Sequence, residues 1–114
     1  MNQLPRDVEV EVTFLPTEHG GFTAPIGSGS RPQFYCAGAD WIAQLAFIDG
    51  DVVRPGQTAR AYVTFAHPDE LLSTLKAGSP FLLRAGQRVV AYGRVLRVID
   101  LDESAKARGR LTSA

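Results

Sequence analysis

Cysteine is almost missing from this sequence: Cys36 stands alone among 114 residues. A single cysteine excludes an internal disulfide and a zinc site built from several thiolates. It also makes the reducing cytoplasm the default expectation for residence. No apolar run approaches the roughly 20 residues that carry a helix across a bilayer, so no membrane partner is expected. The opening Met1-Asn2-Gln3-Leu4-Pro5-Arg6-Asp7 meets an acid too early for a secretory leader. Net charge is absent too, with 12 Lys+Arg against 12 Asp+Glu. That balance speaks against a nucleic-acid binder that is basic throughout.

Catalytic motifs are missing in turn. Neither Lys76 nor Lys106 follows a glycine, so there is no G-x-x-x-x-G-K-[ST] loop to cradle a nucleotide. Gly27-Ser28-Gly29 runs into Ser30, Arg31 and Pro32, which breaks the dinucleotide fingerprint. No G-x-S-x-G elbow is present. His19, His67 and Cys36 lie at no spacing that ligates a metal, so no metal or cofactor is expected. A Cys–His nucleophile pair would need an accessible thiol. Cys36 instead sits between Tyr35 and Ala37 in a strand-like run and reads as a buried, inert side chain. Asp69 and Glu70 read as acids at a helix start rather than a catalytic pair. The expectation is a protein that is not an enzyme.

What the sequence does have is a period of two. Hydrophobic residues make up 45% and charged residues 21%, an ordinary globular mixture. Val8-Glu9-Val10-Glu11-Val12-Thr13-Phe14 alternates strictly, as a half-buried strand does. Gln33 to Ala37 and Asp40 to Phe47 read as two strands joined through Gly38. Ala59 to Phe65, Pro80 to Arg84 and Arg88 to Ile99 read as three more, the last pair turning at Ala85-Gly86-Gln87. The stretch from Pro16 to Pro32, rich in Gly, Ser and Thr, reads as a long exposed loop. His67-Pro68-Asp69-Glu70 has the marks of a helix start, and Lys76 and Gly78 those of its end, so one short helix is expected over about 68–77. Many short strands with at most one short helix mean an all-β sandwich or barrel. The expected layout is an N-terminal extension over 1–6, one domain over 7–99 and a polar tail over 100–114, flexible or weakly helical.

Charge is unevenly spread. Residues 1–70 hold nine acids and four basic side chains, whereas residues 71–99 hold five basic side chains and no acid. Ten of the 12 basic residues are arginine, which suits carboxylate and phosphate contacts better than lysine. The run is either a cationic surface or the wet face of strands that alternate Arg with a buried apolar residue.

Arg31-Pro32-Gln33-Phe34-Tyr35 resembles a run in the third domain of the bacterial translation elongation factor EF-Tu. The likeness continues in order. Glu9 to Leu15 resembles that domain's first strand, and His19-Gly20-Gly21 with the following Gly-rich stretch its long first loop. Pro55-Gly56-Gln57 resembles a turn there, and His67-Pro68 follows a strand as in the family. Phe81 to Val95 resembles the closing hairpin. The resemblance implies a small antiparallel β-barrel with binding roles and no catalysis. It places partner or RNA-backbone contacts at Arg31, Gln33, Arg84, Arg88 and Gly93. Two functions follow as expectations. One is a module that docks a protein partner: EF-Tu itself, another translation component, or a toxin that targets EF-Tu, in which case the chain is a decoy or immunity protein. The other is a module that holds a tRNA backbone. Self-association into a homo-oligomer is a further expectation, because a free-standing barrel lacks the neighbours that cover the family's barrel.

Overall fold

Alternation of valine and acid makes the first strand, β1 (Val8–Phe14), and sets the inside of the molecule. Val8, Val10, Val12 and Phe14 are all buried, so one face of the strand is wholly core. The computed structural model describes residues 6–112, with side chains through residue 107. Residues 1–5 of the expected extension lie outside that range. After β1 come β2 (Ile26–Gly27), β3 (Gln33–Cys36), β4 (Ala39–Phe47), β5 (Val52–Val53), β6 (Thr58–Phe65), β7 (Pro80–Ala85) and β8 (Arg88–Val98). Six of these close an antiparallel barrel in the order β1-β6-β4-β3-β7-β8, while β2 and β5 pair separately. The expected all-β barrel is therefore the observed fold. Closure leaves the six strands without a free edge.

Short connections fix the register. Ala37 and Gly38 take φ of 50° and 81° between β3 and β4, the two-residue turn whose twist matches a hairpin. Gly93 in β8 is required by close approach. A Cβ there would stand 2.3 Å from the Glu11 carbonyl oxygen and 2.6 Å from the Phe81 ring. The absent side chain lets β8 lie against β1 and lets Phe81 stack on Phe34, with ring centroids 4.4 Å apart. Phe34 also meets Phe65 edge-on at 5.0 Å, so three strands share one aromatic cluster.

The Gly-rich stretch is pinned, not loose. Its β2 pairs with β5, and Ile26 is buried in the core. The Gly21 N–H donates to the Pro16 carbonyl, and no Cβ would fit beside Leu15. Composition made this segment a loop, but one apolar residue and a tight backbone contact are enough to anchor it.

Helix appears elsewhere than expected. Over 68–77 only a 3-10 turn forms, Pro68–Leu71, followed by turns to Gly78. Leu71 and Leu75 are tied into the core, and a segment this short gains too few bonds to propagate as α-helix. The α-helix, α1, instead spans Leu101–Thr112, where a polar tail, flexible or weakly helical, was expected. Leu101 and Ala105, four residues apart on one face, are buried, and α1 packs against the Pro68–Leu71 turn. The buried Asp7 carboxylate ties this helix to the barrel. It accepts hydrogen bonds from the Phe65 N–H at 2.8 Å and from the Ser104 hydroxyl.

Candidate functional site

The acid-free run over 71–99 loses most of its free charge once the strands are in register. β1 lies between β6 and β8, with Glu9 opposite Arg97 and Glu11 opposite Arg60 and Arg94. Glu9 is nearly buried and receives the Arg97 Nε–H at 2.7 Å, with Arg60 Nη1 at 3.7 Å. Glu11 meets Arg94 at 3.5 Å, and Arg60 also reaches Asp49 at 3.3 Å. The Glu9 carboxylate also holds the Arg97 guanidinium above its ordinary value. On this side of the barrel the arginines are the wet half of alternating strands, each against a carboxylate.

A second group of arginines is differently placed. Gln33 opens β3 and stands opposite Ile42 on β4 and Arg84 on β7, so Ile42, Gln33 and Arg84 lie in one row across three strands. Arg84 is held by Asp40 at 3.3 Å and lies over the Tyr35 ring, 5.2 Å from its centroid. Arg31 leads into β3 from the Gly-rich stretch and is exposed. Arg88 starts β8 opposite Ala85, across the Gly86 turn, and is exposed too. Among the described residues, neither Arg31 nor Arg88 has an ion pair.

Arg31 stands on a ridge between two grooves. One, of about 360 Å³, is lined by Phe22, Ile26, Pro32 and Ala85 with Arg31, Gln33 and Arg84 at its polar positions. The other, of about 190 Å³, holds Arg31 with Ile42, Ala43, Gln44 and Phe65 among its lining. Ile42 is 61% exposed, beside the groove it lines. Four of the five residues named from the sequence thus gather here: Arg31, Gln33 and Arg84 at the groove, and Arg88 beside its wall. Gly93 does not; its place between Glu11 and Phe81 is a packing position. Sequence reasoning missed Ile42 and Phe22, whose exposure and groove lining depend on register that one sequence does not display.

The Cys–His nucleophile pair weighed from the sequence does not form among the described residues. Cys36 is buried, and burial pushes its thiol above the ordinary value, while the adjacent Trp41 indole acts weakly in the other direction. A thiol held protonated is a poor nucleophile. His67 faces Glu70 at 3.9 Å rather than the thiol. No group of three or more His, Cys, Asp or Glu among the described residues is placed to hold a metal ion. No helix among them is long and apolar enough to cross a membrane.

Comparison with known proteins agrees with the resemblance seen in the sequence. No family model matches the chain. Over 95 residues, 83% of its length, the chain is 35% identical to elongation factor Tu 2 of Streptomyces avermitilis. It spans 23% of that protein's length. With the closed six-stranded barrel, this makes the chain a translation-factor-like domain similar to one segment of EF-Tu.

Proposed function

We propose that the chain is a non-catalytic docking module, an EF-Tu-like barrel that holds a protein partner at the ridge around Arg31. The observation that carries the reading is the contrast in charge pairing. Arg60, Arg94 and Arg97 on the β1 side are matched to carboxylates, whereas Arg31 and Arg88 are exposed without an ion pair among the described residues; Arg6, Arg54 and Lys76 lack one too, but Arg31 alone of these lines the two grooves. A surface that mixes exposed Ile42 with cations suits a protein, whose segments offer both apolar and acidic side chains. The partner classes are EF-Tu itself, another translation component, or a toxin that recognises EF-Tu, with the chain then acting as decoy or immunity protein. Calorimetric titration against purified EF-Tu tests the first directly. Saturable binding that weakens about tenfold in the Arg31→Gln, Arg88→Gln double variant supports docking at the ridge. Binding that is indifferent to both substitutions moves the site elsewhere.

A second reading rests on the same two cations. Exposed arginines beside a turn suit an RNA backbone, with contacts that position a helix and do not read its sequence. A salt series with deacylated tRNA tests it. Counterion release predicts affinity that falls steeply as salt rises, with a shallower slope in the Arg31→Gln, Arg88→Gln variant. No binding at low salt removes this reading.

A further inference from the structure

The ridge has a chemistry more specific than a docking surface in general. Arg31 is its cation, and it lines both grooves. On one side Phe22, Ile26 and Pro32 offer an apolar wall, and on the other Ile42 projects into solvent. No acidic side chain lines either groove. Arg84, the next cation, is engaged by Asp40 and Tyr35, which leaves Arg31 as the unmatched charge at the centre. We infer that the ligand of this ridge is an extended protein segment carrying an acidic side chain with an apolar one two residues before and another two residues after it, its carboxylate on Arg31 and its apolar side chains in the two grooves. This inference rests on the docking reading and names the partner's chemistry.

The physical case is complementarity. A guanidinium takes a carboxylate through two parallel hydrogen bonds, and apolar walls on both sides exclude water from that pair. An RNA backbone would use the cation and leave Ile42 and the partly exposed Phe22 uncovered. Side chains two apart on an extended segment point to the same side, so an acid with apolar residues two before and two after it presents all three to the ridge and its grooves.

The test uses the full chain and two labelled peptides read by fluorescence anisotropy: Gly-Ser-Leu-Ser-Glu-Ser-Phe-Ser-Gly and its twin with Gln for Glu. The Glu peptide is expected to bind with a Kd of roughly 100 µM or tighter, and about tenfold more tightly than the Gln twin. In Arg31→Gln that tenfold preference should collapse towards one, because the substitution removes the carboxylate's partner. In Ile42→Ser both peptides should weaken by a similar factor of about three, with the preference intact. Ile42 is exposed, so this variant should keep the barrel's thermal midpoint. A preference that survives Arg31→Gln overturns the inference. So does the absence of binding by either peptide, and so does a 12-base-pair RNA duplex that binds in an Arg31-dependent way where the peptides fail. A concentration-dependent dimer abolished by Ile42→Ser would assign the ridge to a second copy and overturn it as well. EF-Tu titrated against the same variants separates the two levels: Arg31-dependent EF-Tu binding without peptide binding leaves the docking reading standing and ends this one.

Discussion

Two regions of this barrel use arginine in opposite ways. Along β1, acids recur at Asp7, Glu9 and Glu11, and each is satisfied. Asp7 takes the Phe65 N–H and the Ser104 hydroxyl, Glu9 takes Arg97 and Arg60, and Glu11 takes Arg94. At the ridge where the chain enters β3, Arg31 has grooves for neighbours instead of carboxylates. Both regions contribute to one uneven charge distribution in the sequence. What separates them is the strand register, which places the acid-rich first strand beside the acid-free last one. The cationic run therefore becomes neutral where Arg94 and Arg97 meet β1 and where Arg84 meets Asp40, while Arg88, at the start of β8, has no ion pair among the described residues.

The strongest way to break the comparison is to separate β8 from β1. Gly93→Ala places a methyl group against the Glu11 carbonyl and the Phe81 ring. It should cost about 3 kcal/mol, read as a lower denaturation midpoint with unchanged slope. A neutral outcome would mean that β8 does not lie this close to β1.

Asp7 gives the next effect, and it depends on pH. Burial, the largest cause, raises its carboxyl above the ordinary 3.8; hydrogen bonds from Phe65 and Ser104 oppose the rise, and nearby Asp100 adds to it. A carboxyl raised on folding binds its proton more tightly in the folded state. Its contribution to stability is therefore full below the ordinary value and is lost as pH rises through the raised folded value. Asp7→Asn should remove that loss, so the wild type should fall relative to the variant between pH 4 and pH 8 in denaturant melts. Parallel pH profiles would contradict the buried, raised carboxyl.

Much of this was legible in the sequence. Val8 to Phe14 displays its period of two without ambiguity, and the turns at Gly38 and Gly86 declare their hairpins by residue type. The order Arg31-Pro32-Gln33-Phe34-Tyr35, Pro55-Gly56 and Phe81 to Val95 gave the barrel a likeness as well as a pattern. Pairing across strands was not legible. Nothing local to Arg97 says that Glu9, 88 positions away, will accept its Nε–H. The docking of α1 was hidden for a related reason. Leu101 and Ala105 lie in a stretch dominated by polar residues, and they are buried where α1 packs on the Pro68–Leu71 turn. Arg31, Gln33, Arg84 and Arg88 could be named from the sequence, but the apolar partners that define their surroundings, Phe22 and Ile42, could not.

A smaller effect sharpens the contrast from the neutral side. Glu9→Gln leaves Arg97 and Arg60 without their shared carboxylate. It should lower the thermal midpoint by a few degrees and raise low-salt affinity for an RNA duplex a fewfold, since the freed cations create the charge this face otherwise lacks. RNA affinity unchanged by Glu9→Gln would show that pairing is not what keeps this face neutral.

The decisive measurement compares two double variants in one anisotropy titration with the Glu-containing peptide. Arg31→Gln with Arg88→Gln removes two cations that have no ion pair among the described residues, and Arg94→Gln with Arg97→Gln removes two that are paired to β1. The first pair should lose peptide binding by about tenfold or more, and the second should change it by less than about twofold. Equal losses in both variants, or a larger loss in the second, would contradict the claim that register alone decides which of this barrel's arginines are free to bind.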